Sequence, residues 1–164
     1  MLESFPITVR ALDAATAGLA RELAQASVDG TPYAEHALTT LYDAATKPGR
    51  ESRALIVLSS DSEDLLGVIV FGEVAGTVGT GKLHCINVTA SARLQGIASR
   101  LIDAAISDLA EKQARFVMAE LPDDPRIAAV QDLLLCNKFV EEARIPDFYA
   151  DGVALICFRR EIAA

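Results

Sequence analysis

The sequence predicts a mixed α/β (α+β) fold, and three observations carry that prediction. Short β-branched or apolar runs recur along the whole chain, for example Ile7-Thr8-Val9, Leu55-Ile56-Val57-Leu58 and Val68-Ile69-Val70-Phe71. Between some of them lie stretches with a helical period of about 3.6 residues, most clearly after Arg93, where apolar residues recur at positions 94, 97, 98, 101, 102, 105 and 109. Glycine and proline mark the joins. Taken together the order is β-α-α-β-β-β-α-β-α-β-β.

Each element has a local reason. Ile7 to Leu12 alternates as a strand, and Asp13 suits the cap of an alanine-rich helix running to about Gln25. Gly30 and Pro32 predict a loop from Val28 to Tyr33. A second helix follows to Thr46, with Ala37, Leu38, Leu41 and Ala45 on one face, and Lys47-Pro48-Gly49 ends it. Tyr33, Glu35, His36 and Tyr42 in this segment either line a pocket or belong to the surface and packing of an amphipathic helix.

Ala54 to Leu58 and Leu65 to Val74 read as paired antiparallel strands around the polar turn Asp61 to Asp64. Gly76, Gly79 and Gly81 resemble a phosphate loop only superficially. They fall between two strand patterns rather than before a helix, so they predict a hairpin turn. Arg115 to Leu121 is a further strand, stopped by Pro122-Asp123-Asp124-Pro125, with Asp124 as cap and Pro125 at the first position of a helix from Arg126 to Leu135. Asn137-Lys138 caps that helix. Phe139 to Ile145 and Val153 to Arg159 are the last strands, with a loop from Pro146 to Gly152 between them.

Composition bounds the function. At 164 residues, 51% hydrophobic and 23% charged, the chain is expected to fold as a single domain over residues 1–164. A net charge of −8 argues against a nucleic-acid or membrane-surface partner, since both depend on clustered Lys and Arg. Cys85, Cys136 and Cys157 are odd in number, far apart and flanked by apolar residues, as expected of buried thiols in a reducing compartment. Their spacing suits no zinc site, and no metal is expected. Met1-Leu2-Glu3-Ser4-Phe5 lacks a basic start and an apolar run, so no leader is read there and a cytoplasmic location is expected.

The most informative stretch runs from Leu83 to Leu109. A strand holding Leu83, Cys85, Ile86 and Val88 leads through Arg93-Leu94-Gln95-Gly96-Ile97-Ala98-Ser99 into a helix. Such a turn aims unpaired N–H groups and the positive end of a helix dipole at one point, which suits phosphate. A dinucleotide fold would need Gly-x-Gly-x-x-Gly, and Gly96 is the only glycine between Lys82 and Asp151.

Arg93-x-x-Gly96-x-Ala98, directly after a strand ending in Ile86-Asn87-Val88, resembles the acetyl-coenzyme A signature Q/R-x-x-G-x-G/A of the GCN5-related N-acetyltransferase (GNAT) superfamily. Asn137-Lys138-Phe139 and Arg144-Ile145-Pro146-Asp147-Phe148-Tyr149 resemble segments common in its second half. The resemblance implies a mixed, mostly antiparallel sheet of about six or seven strands flanked by about four helices. It also implies acetyl-CoA as co-substrate. Leu94 to Ser99 would hold the pyrophosphate through backbone N–H groups, with Arg93 adding charge or ordering the loop. Ile86, Asn87 and Val88, on a strand that parts from its neighbour, would pair with the pantetheine arm.

The implied reaction is transfer of an acetyl group from acetyl-CoA directly to a primary amine of a small molecule or protein. Glu120 matches the position of a general base in the family. His84 is expected to be structural, and neither Cys85 nor Cys157 is proposed as nucleophile. The tyrosine that commonly protonates the departing thiolate falls near Leu134, which cannot do so, and Tyr149 is left as the candidate acid. The same departure is compatible with a non-catalytic acyl-CoA sensor or structural module. Many members are dimers, so a homodimer is a further expectation from the resemblance.

Overall fold

A computed structural model describes residues 7–28 and 30–162. Met1–Phe5, read above for a leader, lie outside the described residues. The elements are β1 (Ile7–Ala11), α1 (Ala17–Val28), α2 (Ala34–Thr46), β2 (Arg53–Ser59), β3 (Leu65–Glu73), β4 (Thr80–Val88), α3 (Ile97–Glu111), β5 (Phe116–Pro122), α4 (Ala128–Cys136), β6 (Val140–Ala150) and β7 (Val153–Glu161). The expected order is therefore present in full.

The strands form one sheet in the order β1-β2-β3-β4-β5-β7-β6. Every neighbouring pair is antiparallel except β4 and β5, which α3 joins as a crossover and which are therefore parallel. The near-continuous apolar runs of β2 and β3 follow from cover on both faces. Ala54, Ile56, Val68 and Val70 face Ala20, Ala24, Leu41 and Ala44 of α1 and α2. The alternate residues Val57, Ile69 and Phe71 face Ile97, Leu101, Ala105 and Leu109 of α3, with Leu134 and Phe139 in the same cluster. Gly67 permits the close approach of α3, because a Cβ there would sit 3.0 Å from Leu101 and 3.1 Å from the Asn87 carbonyl.

Several expectations are corrected. Asp13 caps a turn rather than the first turn of α1: its Oδ1 accepts from the Thr16 N–H at 2.9 Å, and the helix begins at Ala17 and continues to Val28. Gly81 lies within β4, not in the hairpin turn. Pro125–Ile127 form a short tight turn before α4 instead of its first residues. The loop assigned to Pro146–Gly152 is largely strand, since β6 runs to Ala150 with its register shifted between Ile145 and Ala150. Proline signalled a loop because it cannot serve a central strand, but β6 is the sheet edge, where a missing N–H costs no ladder bond. Cys136 is exposed, at the end of α4, and is no buried thiol.

Candidate active site

The turn from β4 into α3 has the backbone of an anion cradle. Leu94 and Gly96 both have positive φ, 60° and 76°. Among the described residues, none of the N–H groups of residues 94–99 donates to a backbone carbonyl, and the first bond of the helix is Arg100 N–H to the Gly96 carbonyl at 3.0 Å. A consecutive run of free donors at a helix N-terminus is what an anion requires. Gly96 is needed for its left-handed φ rather than for space, since a Cβ there would meet nothing within 4 Å. The Arg93 side chain is exposed and unpaired among the described residues, so it is available to a ligand.

Leu94 departs from the periodic reading. It is fully exposed in the turn and contributes nothing to the apolar face of α3, which starts at Ile97. Ala98 and Ser99 lie in the first turn of the helix, and Gln95 Nε2 donates back to the Ser91 carbonyl at 2.9 Å. Asn137, the cap of α4, donates from Nδ2 to Ser99 Oγ at 3.1 Å and to the Leu133 carbonyl at 2.8 Å. That contact fixes the end of α4 against the cradle.

Immediately upstream the sheet opens. The parallel ladder of β4 and β5 runs from Thr80–Phe116 to Leu83–Ala119 and stops, although β4 continues to Val88 and β5 to Pro122. Along the other edge β4 stays paired with β3, where Asn87 opposes Val68 and the Thr89 N–H donates to the Leu66 carbonyl at 2.9 Å. Ladder alternation then turns the N–H and C=O groups of Ile86 and Val88 toward the edge that β5 has left. Asn87, between them, is buried.

Glu120 is the first β5 residue past the last rung, paired with Cys157 on its other side. Its Oε2 receives Lys82 Nζ at 2.5 Å. His84 is the extra residue of a bulge, for Leu83 opposes Phe71 and Cys85 opposes Val70. Its Nε2–H donates to the Glu51 carbonyl at 3.0 Å, and burial pushes the imidazole below its ordinary value.

Tyr149 arrives from the shifted part of β6. Its ring makes edge contacts with Tyr33 at 5.6 Å and with Phe148 at 5.0 Å between centroids. Burial raises the Tyr149 hydroxyl, and the Glu120 carboxylate raises it further, so it carries its proton at neutral pH. The Tyr33 hydroxyl donates to Asp124 Oδ2 at 3.0 Å. Asp124 is buried, and hydrogen bonds from Arg126 hold its carboxyl well below the usual range. These contacts tie the start of α2 to the turn before α4. Leu134 is 1% exposed within the α3 core, which leaves that position of α4 no part in proton transfer.

Of the α2 candidates, His36 shares a groove with Lys82 and His84, and Tyr33 packs on Tyr149. Glu35 is exposed at the surface, and Tyr42 is exposed as well. Lys82 and Asp124 join the site through partners on other elements. Nothing local marks Lys82, whose meaning comes from a neighbour on another strand, whereas the cap signal at Asp124 was visible without its partner Tyr33. Cys85 is pushed up to about 12 by burial and Cys157 is raised by burial, so neither is poised as a nucleophile. Among the described residues no group of three or more His, Cys, Asp or Glu could hold a metal, and no helix is long and apolar enough to cross a membrane.

Comparison with known proteins meets the same fold. The family model for the acetyltransferase (GNAT) family matches residues 18–131. A crystal structure of a putative GNAT-family acetyltransferase from Desulfovibrio desulfuricans superimposes with a TM-score of 0.86 at 22% identity, covering 96% of this chain and 100% of that one. The ribosomal-protein-S18-alanine N-acetyltransferase of Escherichia coli gives 0.74 at 15% identity, covering 97% and 96%. A putative acetyltransferase from Salmonella typhimurium, solved with its cofactor acetyl-CoA, gives 0.73 at 17% identity, covering 96% and 94%. No curated protein sequence matches the chain significantly.

Proposed function

The chain belongs to the acetyltransferase (GNAT) family, and from that premise we propose that it transfers an acetyl group from acetyl-CoA directly to a primary amine of a small molecule or protein, acting as one N-acetyltransferase domain. The observation that carries this reading is the parting of β4 from β5 after Leu83–Ala119, placed directly before the free N–H groups of residues 94–99. One feature suits a pyrophosphate and the other an extended amide-bearing arm. The named neighbours include a ribosomal-protein-S18-alanine N-acetyltransferase and a structure holding acetyl-CoA, which supports this choice of donor and acceptor class.

In this reading Leu94, Gln95, Gly96, Ile97, Ala98 and Ser99 bind the pyrophosphate through their N–H groups, with Arg93 beside them. Ile86, Asn87 and Val88 hold the pantetheine arm. The Val88 N–H, turned toward the gap, stabilises the oxyanion as the amine nitrogen attacks the thioester carbonyl carbon. Glu120 accepts the proton that the acceptor ammonium must lose. The C–N bond forms, the C–S bond breaks, and Tyr149 supplies a proton to the leaving thiolate, a loss made good by the second proton that the nitrogen sheds as it becomes an amide. No covalent intermediate on the protein is involved.

The test is incubation with acetyl-CoA and a panel of primary amines, following thiol release together with the mass of the product. Amine-dependent release with a product heavier by one acetyl group is the expected result. Binding of acetyl-CoA with no release across a broad panel would overturn the catalytic reading in favour of a sensor.

A further inference from the structure

The last two rungs of the β4–β5 ladder are Lys82–Met118 and Leu83–Ala119. Glu120 stands two residues beyond Met118 on β5, so its side chain leaves the sheet on the same face as that of Lys82. One residue of the pair precedes the end of the ladder and the other follows it, so the 2.5 Å contact between Lys82 Nζ and Glu120 Oε2 closes the narrow end of the gap. The two side chains are 29% and 34% exposed, and neither is sealed from a molecule lying in the gap.

In the proposed reaction the acceptor nitrogen is the one that gives a proton to Glu120. The structure already holds a primary ammonium in that place, and it belongs to the chain itself. The proposed arm of the coenzyme lies along the same strand, entering beside residues 94–99 and running toward the apex where this pair sits. The other lysines of the chain, Lys47, Lys112 and Lys138, are exposed, and Lys112 rests on Asp108 within α3 at 3.2 Å. Lys82 is therefore set apart by position: it is the lysine that pairs the base with a nucleophilic nitrogen ahead of any outside amine.

We propose that Lys82 is a self-acetylation site, whose Nζ takes the acetyl group of the acetyl-CoA bound in the same chain when no outside amine is present. This rests on the acetyl-transfer reading above. The Lys82 ammonium gives one proton to Glu120, and the neutral nitrogen forms its bond to the acetyl carbon as the C–S bond breaks. The second proton shed by the nitrogen makes good the one that Tyr149 gives to the coenzyme sulfur, so the coenzyme leaves as the thiol and Glu120 returns its proton to water. The product amide carries no charge and no longer forms an ion pair with Glu120. Its nitrogen is no further nucleophile, so each chain is modified there once.

The experiment incubates the purified protein with deuterium-labelled acetyl-CoA and no amine, and follows labelled acetyl at each lysine by peptide mass spectrometry. Lys82 is expected to gain label about tenfold faster or more than Lys47, Lys112 or Lys138, because its nitrogen is held in place. The rate per chain should not change when the protein is diluted. Glu120→Gln should slow labelling of Lys82 by about a hundredfold, as loss of a base would, while the exposed lysines label as before. Lys82→Arg keeps the positive charge and should abolish the single turnover of thiol release seen without amine. Labelling of Lys82 no faster than that of the exposed lysines, labelling that slows on dilution, or labelling that persists in Glu120→Gln overturns the proposal. The amine panel separates the two readings. Acetylated amines with an unmodified Lys82 leave acetyl transfer standing and remove the self-acetylation site, whereas labelled Lys82 with no amine acetylated does the reverse.

Discussion

Lys82 Nζ lies 2.5 Å from Glu120 Oε2, on two strands whose ladder has just ended at Leu83–Ala119. The pair holds the carboxylate at the apex of the gap rather than letting it turn to solvent. Glu120→Gln keeps the shape and removes the base. It should lower kcat by about a hundredfold or more, within the range for loss of general base catalysis, while CoA affinity by calorimetry stays close to that of the parent. Full kcat in the variant would remove Glu120 from the mechanism.

Gly96 combines a φ of 76° with open space where a Cβ would stand. Gly96→Ala therefore carries mainly the left-handed backbone cost, about 1 kcal/mol, and should still bind CoA. Gly96→Glu bears the same backbone cost and adds a carboxylate to the cluster of N–H donors at 94–99. CoA binding should be lost in calorimetry while the fold persists by circular dichroism. Retention of parental affinity in Gly96→Glu would show that the pyrophosphate lies elsewhere.

The legible parts of this chain were those whose cause is local. Helical spacing after Gly96, the apolar runs of β2 and β3, and the cap at Asp124, which closes the turn before α4, all act within a few residues. The cradle was legible for the same reason, because a turn into a helix creates free N–H groups whatever surrounds it. What escaped depended on neighbours remote in sequence. Pro146 signals a loop until β6 is known to be the edge strand. Leu94 fits the helical period until Gly96 turns the chain left-handed. Lys82 meets Glu120 and Tyr33 meets Asp124 only because the sheet order brings them together. The residues around the proposed chemistry thus come from β4, β5, β6 and α2, while the cradle comes from one turn.

His84 gives a pH dependence with a defined sign. Its folded value is depressed below the ordinary value of about 6.5, so in the window beneath 6.5 the unfolded chain binds the proton and the folded chain does not. Stability from this group is present above that window and is lost as pH falls through it toward the folded value. Asp13 and Asp124, whose carboxyls are depressed, lose their contributions in the more acidic range below their ordinary value of about 4. His84→Gln retains a donor for the Glu51 carbonyl and does not titrate. Melting temperature plotted against pH should fall less steeply for the variant between about pH 7 and pH 5. Parallel curves would sink the assignment.

The three cysteines should differ sharply toward a thiol reagent. Cys136 is exposed, whereas Cys85 is pushed up to about 12 and Cys157 is raised, both chiefly by burial. Only the thiolate attacks a disulfide reagent. Ellman's reagent on the native protein is expected to label Cys136 alone at first, and Cys136→Ser should abolish that fast phase. Rapid reaction of a second thiol would contradict the partial burial that raises Cys85 and Cys157. The Cys136→Ser protein is also the better background for following coenzyme thiol release.

Tyr149 is the candidate acid because Leu134 is sealed in the core and because its own hydroxyl stays protonated beside Glu120. Tyr149→Phe keeps the ring that meets Tyr33 at 5.6 Å and removes only the proton donor. A coenzyme thiol, with an ordinary thiol value of about 8.5, gains most from protonation at lower pH and little once the free thiolate is stable in water. The kcat of Tyr149→Phe should accordingly fall by about tenfold near pH 7, at the low end for acid catalysis because a thiolate leaves readily. The deficit should narrow as pH rises past about 8.5. A purely structural role for the hydroxyl would lower kcat or raise KM by the same factor at every pH, so a pH-independent deficit removes Tyr149 from proton transfer.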